Sequence, residues 1–173
     1  MKRGQRIEAY LDRLYCWGLS LANDREDALD LLQDCAVKAL SARQVPKDEA
    51  AYRAWLFKIL RNTFIDGVRR KRGDVEPLDE TYMVEHDRFA SLESSLINEL
   101  TVRNALRSLP GVHREVLTLV DVSGFTYSEA ADLLEIPVGT VMSRVSRARA
   151  KLLTVISDQR PRPVPLRFAG SAN

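Results

Sequence analysis

Apolar residues recur every three to four positions along most of this chain, which places them on one side of an α-helix, and strict apolar–polar alternation is scarce. The pattern predicts a first helix over about residues 5–22, with Leu11, Leu14, Tyr15 and Leu21 among its apolar positions. Asn23 or Asp24 can cap a second helix, which runs to about Ala42 and buries Ala28, Leu31 or Leu32, Cys35 and Ala39. A polar loop at residues 43–48 separates it from a long third helix, residues 49–72, bearing Tyr52, Trp55, Leu56, Ile59, Leu60 and Phe64. Trp55 shares the spacing of Leu56, Ile59 and Leu60 and reads as core, while Gly67 is a place where the helix can loosen or bend.

The second half repeats the helical period in shorter pieces. Leu96, Leu100, Val102 and Leu106 mark one helix. Leu109-Pro110 opens another, with Val112, Val116, Leu119 and Val120 facing inward and Gly124 able to end it. Thr126-Tyr127-Ser128-Glu129 fits a capping box, in which the threonine caps the helix and the glutamate reaches back. Ala130, Ala131, Leu133 and Leu134 follow, then a brief turn at residues 136–139. The next helix has Thr140 at its expected N-cap and Val141, Val145, Ala148 and Leu152 on one face. Thr140, Ser143, Arg144, Arg147 and Lys151 fall on the other. Two helices joined by a short turn describe a helix-turn-helix, whose second helix locks to a scaffold on one side and enters a DNA groove with the other. The plainer alternative is a set of packed helices with a solvated basic face.

The expected class is therefore all-α, as two small helical domains at residues 1–72 and 96–156. An acidic flexible linker at residues 73–95 joins them, and a Pro/Arg tail at residues 157–173 reads as extended or disordered. The charge distribution sharpens this division. Residues 1–72 carry 15 Lys+Arg against 10 Asp+Glu, a net +5, whereas residues 73–99 carry one against eight, a net −7. Residues 100–156 carry seven against five and residues 157–173 three against one, a net +2 each. Two basic lobes suit a polyanion, and the acidic connector between them would be repelled by one.

Composition narrows the class further. Hydrophobic residues make up 45% and charged residues 29%, proportions of a folding, soluble chain. No apolar run is long enough for a bilayer and the basic N-terminus has no signal-peptide core, so a cytoplasmic location without membrane insertion is the default expectation. Cys16 and Cys35 lie on apolar faces and read as reduced core thiols; His86 and His113 stand apart from any nucleophile pattern. No phosphate-binding glycine loop, serine elbow or metal-spaced carboxylate set occurs, so neither an enzyme, a metal nor a cofactor is expected.

Two further surfaces carry candidate function. Asn62, Asp66 and Arg69 share a polar stripe on a helix that closes with Arg69, Arg70, Lys71 and Arg72. The stripe can read base edges while the cations hold phosphates; equally, the cations can simply complement the helix dipole. Asp30, Gln33 and Asp34 form an acidic-polar patch on the second helix, which suits a protein partner or is a solvated face.

Taken in order, Asp30-Leu31-Leu32-Gln33-Asp34, the run from Arg53 through Trp55 to Asn62, the acidic connector and Gly139-Thr140-Val141-Met142-Ser143-Arg144 resemble a bacterial extracytoplasmic-function (ECF, group 4) RNA polymerase sigma factor. The resemblance covers roughly residues 11–156. It implies a sigma-2 and a sigma-4 domain without the sigma-3 domain of larger sigma factors. It also implies core RNA polymerase as a partner, through the β′ clamp coiled coil and the β flap, with Asp30, Gln33 and Asp34 docking on the coiled coil. The −10 element would be met by Asn62, Asp66, Arg69, Arg70, Lys71 and Arg72, and by a loop at residues 43–48, including Lys47, that captures a flipped-out base. Such a flip costs a few kcal/mol that a pocket must offset. Thr140, Ser143, Arg144, Ser146, Arg147 and Lys151 would face the −35 element. An anti-sigma factor is implied as a regulator, and the linker resembles those that thread the RNA exit path. Met142 stands where relatives often carry a cation, Ser146 near where they carry an aromatic, and the loop at residues 43–48 has no glycine. The rival readings are a stand-alone helix-turn-helix regulator binding symmetric half-sites and a sigma-like decoy that sequesters an anti-sigma factor.

Overall fold

A computed structural model describes residues 3–72 and 104–158, all helix, turn and loop with no strand among the described residues. The linker at residues 73–95, the start of the second lobe at residues 96–103 and the tail beyond Asp158 lie outside them. The first lobe contains α1 (Arg3–Glu8), α2 (Leu11–Ala22), α3 (Arg25–Ser41) and α4 (Glu49–Arg72). The second contains α5 (Gly111–Leu117), a π-helical turn (Thr118–Val122), α6 (Tyr127–Leu134) and α7 (Val138–Asp158).

The expected single first helix is two. Tyr10 leaves the regular helical path at φ −114° and ψ −7°, and its amide donates to the Ile7 carbonyl. Ile7, Tyr10, Leu14 and Trp17 all turn inward on both sides of the break, and the Tyr10 hydroxyl reaches Glu49 of α4. Cys16 lies one position off this inward set and is exposed, contrary to the core reading, whereas Cys35 is buried and its thiol is pushed up to about 12 by desolvation. Between α2 and α3, Asn23 adopts φ +56° as the C-cap of one helix and Asp24 caps the next, accepting from the Glu26 and Asp27 amides at 2.8 and 3.0 Å. Ala28, Leu31, Cys35 and Ala39 are the buried face of α3, as the period predicts. Trp55 is half-buried and tilted against Tyr52, packed on the core's flank, and α4 passes through Gly67 without interruption.

In the second lobe the capping box forms as expected. Thr126 Oγ1 accepts from the Glu129 amide, and Glu129 Oε2 accepts from the Thr126 amide at 2.8 Å. The α5 segment widens into the π-helical turn before Gly124, at φ +73°, redirects the chain. Val116 and Leu119 are fully buried, with Val112 and Val120 half-buried. Thr140 is not the cap of the last helix. The Pro137 carbonyl accepts from the Thr140 and Val141 amides, so α7 begins at Val138 and Thr140 lies within its first turn. A proline there sacrifices no hydrogen bond, because the first amides of a helix have no intrahelical acceptor.

The two lobes pack against each other. Phe57 of α4 is wholly buried, with Trp17 on one side at 5.2 Å between ring centroids and Phe125 of the second lobe edge-on at 4.8 Å. The Arg53 guanidinium lies over Phe125 at 4.4 Å and donates to Glu129 Oε1 at 2.6 Å and the Gly124 carbonyl at 3.2 Å. One helical turn or two further along α4, Lys58 pairs with Glu135 and Arg61 with Glu115, each at 3.7 Å. Burying a phenylalanine is worth about 1.5–3 kcal/mol. An exposed pair such as Lys58–Glu135 is worth about 0–1 kcal/mol, so Phe125 carries the α4 side of this contact. On the α2 side Arg114 is 8% exposed and, among the described residues, pairs with no carboxylate. Its guanidinium donates instead to the carbonyls of Ser20, Arg107 and Leu109 at 2.7, 3.0 and 3.3 Å, tying α2 to the second lobe. Next to it a cavity of about 460 Å³, lined in part by Cys16, Leu19, Leu106 and Val122, lies between the lobes.

Two outcomes follow from this packing. Arg114→Met, which leaves those carbonyls without their charged donor, should cost about 2–4 kcal/mol of stability in urea unfolding. The Glu129 carboxyl is held below its ordinary 4.5, first by the Thr126 amide and then by the Thr126 hydroxyl and Arg53. A depressed carboxyl stabilises the fold above its unfolded value and stops doing so as pH falls through the folded one. The thermal midpoint should therefore drop more steeply below pH 4.5 in the natural chain than in Glu129→Gln, measured side by side by circular dichroism.

Candidate nucleic-acid interface

The helix-turn-helix is built from α6 and α7, and α7 has the two faces a groove-reading helix requires. Val141, Val145 and Ala148 are buried and Leu152 is half-buried, locking the helix onto α5 and α6. Ser146, Arg147 and Lys151 are exposed; Thr140, Ser143 and Arg144 are half-buried. Ser143 Oγ donates to the Thr140 carbonyl at 3.0 Å, which leaves the hydroxyl oxygen able to accept from a base or a backbone group. Met142 is 52% exposed on the same outer surface and brings an apolar contact where a cation would bring a phosphate contact.

The cations of α7 do not all belong to one face. Arg149 turns back to Asp121 in the π-helical turn, donating Nε at 3.0 Å and Nη2 at 2.5 Å, so it braces the lobe. Arg144 is close enough to Glu115 for its charge to act there: burial pushes the Glu115 carboxyl up while Arg61 and then Arg144 draw it down. His113 also faces this helix. Burial and then the charges of Lys151, Arg147 and Arg144 lower its imidazole below 6.5, keeping it neutral at pH 7. The sequence pattern placed neither Glu115 nor His113 at this site, since both come from α5 and reach α7 only through tertiary packing.

On the first lobe, Asn62, Asp66, Arg69, Arg70 and Lys71 are all exposed along the outer side of α4, and Arg72 is its last residue. Arg70 Nε donates to the Asp66 carbonyl at 3.3 Å, and Lys71 reaches Asp27 of α3 at 3.4 Å. The stripe of Asn62, Asp66 and Arg69 is thus free to contact a ligand edge-on, with the terminal cations beside it. Asp30, Gln33 and Asp34 are exposed on α3, on the side opposite its buried face.

The loop at residues 43–48 is held in place by a residue the sequence pattern did not single out. Arg6 of α1 donates to the carbonyls of Pro46, Lys47 and Asp48 at 2.7, 3.0 and 3.1 Å, and to Glu49 Oε2 at 3.0 Å. The Tyr10 hydroxyl donates to the other Glu49 oxygen at 2.6 Å, and these two donors hold the Glu49 carboxyl below its ordinary range. A hollow of about 240 Å³ lies beneath the loop, lined by Arg6, Ala39, Leu40, Val45, Pro46, Lys47 and Tyr52. Among the described residues no helix is long and apolar enough to cross a membrane.

Comparison with known proteins accounts for both lobes. Residues 6–73 match the family described as Sigma-70 region 2, and residues 99–152 match Sigma-70, region 4. The chain is 37% identical over 150 residues to the ECF RNA polymerase sigma factor EcfG of Rhodopseudomonas palustris, covering 87% of this chain and 82% of that one. It is 36% identical over 132 residues to the ECF RNA polymerase sigma factor SigM of Mycobacterium tuberculosis, covering 76% of this chain and 65% of that one. Among solved structures it is similar to the sigma factor RpoE of Bartonella quintana in complex with the anti-sigma factor NepR, at 30% identity and TM-score 0.62, covering 91% of this chain and 98% of that one. It is also similar to CnrH in complex with the cytosolic domain of CnrY, at 28% identity and TM-score 0.62, covering 90% and 88%. Both lobes and the order in which they occur place this chain in the extracytoplasmic-function branch of the sigma-70 family, the transcription initiation factors that act by binding and not by catalysis.

Proposed function

We propose that this sigma factor docks on the β′ clamp coiled coil of core RNA polymerase through Asp30, Gln33 and Asp34, and on the β flap through its second lobe. It then opens the −10 element with the outer face of α4. Asn62, Asp66 and Arg69 contact base edges, and Arg70, Lys71 and Arg72 neutralise phosphates. The loop at residues 43–48, with Lys47 at its rim, takes up one flipped base. In the −35 major groove, Ser146, Arg147 and Lys151 make the outermost contacts, with Thr140, Ser143 and Arg144 closer to the lobe. The observation that carries this reading is the two-faced α7, buried along Val141, Val145 and Ala148 and cationic on the outside. The domains are assigned to residues 1–72 and 96–156, and an anti-sigma factor, as bound by the Bartonella quintana relative, is the expected regulator.

Promoter engagement in this reading requires the lobes to part. The two elements are centred about 25 base pairs apart, or roughly 85 Å at about 3.4 Å per pair. A packed body of this size has a radius of gyration of only about 14 Å, so the closed arrangement cannot touch both. The 31 residues between the described segments can extend to about 100 Å, enough to let each lobe reach its element. Association with polymerase would then supply the energy that replaces the Phe57–Phe125 and Arg53–Glu129 contacts. Neither rival reading accounts for the same set of features. A stand-alone regulator needs no acidic patch on α3, and a decoy needs no exposed Arg147 and Lys151.

The decisive experiment is run-off transcription with core polymerase over a genomic promoter library, with and without the protein. Initiation should appear at promoters that share two spaced elements. In the same assay Arg147→Ala should cost about 1–3 kcal/mol where the −35 element is intact and nothing where it is scrambled. Equal losses on both would reduce Arg147 to a phosphate contact, and no protein-dependent initiation would remove the sigma reading of this site. Asp30→Ala combined with Asp34→Ala should weaken core binding by at least about tenfold, or about 1.4 kcal/mol. The thermal midpoint should stay unchanged, because both side chains are exposed.

A further inference from the structure

The loop at residues 43–48 contains no glycine, and three successive carbonyls in it point at one guanidinium. That guanidinium comes from Arg6, about 40 residues earlier in the chain, on a six-residue helix whose Ile7 is buried in the core. Four features fix where it sits. Glu49 accepts its Nε, the Tyr52 ring lies beneath it at 3.9 Å, the Tyr10 hydroxyl anchors the second Glu49 oxygen, and the Asp48 carboxylate accepts from the Ala51 amide at 2.8 Å to start α4. The side chain of Arg6 is 18% exposed, so it is seated between the loop and Tyr52 and not laid over the surface. Only a planar fork with five donors can serve three carbonyls and a carboxylate together; a lysine ammonium at the same place offers three donors from a single atom.

The hollow under the loop is framed by the same group. Arg6 and Tyr52 form one wall, Val45, Pro46 and Lys47 the loop side, and Ala39 with the half-exposed Leu40 the end of α3. The lining mixes apolar surface from Val45, Pro46 and Leu40 with the Arg6 and Lys47 cations, which suits a single unstacked base with its phosphate outside. The shape of that hollow depends on the backbone path of residues 46–48, and that path depends on Arg6.

We infer that Arg6 is a positioning residue for −10 recognition: by gripping the carbonyls of Pro46, Lys47 and Asp48 it sets the loop that shapes the hollow for one flipped base. The inference rests on the reading that this loop takes up a −10 base. Arg6 acts by holding the loop and forming one wall of the hollow, at one end of the candidate −10 face, so its loss is felt at one promoter position.

The test uses holoenzyme assembled from core polymerase and the full chain, binding fluorescent single strands that carry the −10 sequence with one base at a time replaced by an abasic site. In the natural protein, base removal should weaken binding by about five- to hundredfold at one position, the range of a single lost base contact. In Arg6→Ala, and equally in Arg6→Lys, which keeps the charge beside Glu49 but not the fork, that penalty should fall to within about twofold of none, with penalties at the other positions kept. Tyr10→Phe, which removes only the hydroxyl that steadies Glu49, should fall in between and provides a variant with an intact aromatic core. Penalties unchanged in all three variants, or affinity lost equally at every position, would overturn the inference and leave Arg6 a stabilising residue alone. A natural protein with no position-specific penalty would instead overturn the base-capture reading, and the role of Arg6 with it.

Discussion

Phe125 is the residue on which the arrangement of the two lobes turns. It belongs to the loop that enters the helix-turn-helix, but its ring is buried between Phe57 of the first lobe and the Arg53 guanidinium. Because Phe57 also packs on Trp17, a continuous aromatic column runs from the middle of α2 into the base of the second lobe. Arg53 gives that column a polar edge: the same side chain lies over Phe125 and binds the glutamate of the capping box. One interaction thus couples the start of α6, and through it the setting of α7, to the long helix α4.

The rest of the interface is of a kind that exchanges readily for other partners. The α4 stripe of Arg53, Lys58 and Arg61 faces Glu129, Glu135 and Glu115, and these pairs range from half-buried to exposed. Pairs of this kind are worth little net, since the charges regain hydration when they separate. Arg114 is the exception. It is buried, desolvation lowers its pKa from the ordinary arginine value, and among the described residues its guanidinium is met by three carbonyl acceptors. The interface thus has one aromatic core, one buried arginine and a rim of exchangeable ion pairs.

The candidate DNA faces follow a different logic. Their exposed residues need no partner within the chain, and their precision comes from what lies behind them. Val141, Val145 and Ala148 fix the rotation of α7, so that Arg147 and Lys151 point outward, while Arg149 is spent on Asp121. At the other end of the molecule the loop at residues 43–48 is fixed from outside itself by Arg6, Tyr10 and Glu49. In both places side chains behind the candidate contact surface set the geometry of those on it.

The sequence by itself determined most of the helices, a cap at Asn23 or Asp24, the capping box at Thr126 and Glu129, the inward faces of α3 and α7 and the division into two lobes. All of these follow from spacings of three or four residues, which a helix turns directly into shared faces and closed terminal hydrogen bonds. It misplaced the break at Tyr10, the burial of Cys16 and the start of α7, because each depends on which neighbour wins a place that local periodicity leaves open. Only the tertiary structure decided that Arg6 would hold residues 46–48, that Arg53 would meet Glu129 and that Arg114 would bind the Ser20 carbonyl. These partners are 40, 76 and 94 residues apart, and no periodic pattern records a contact between positions that far separated, since it forms only when two independently folded faces are brought together and their unpaired donors and acceptors find one another.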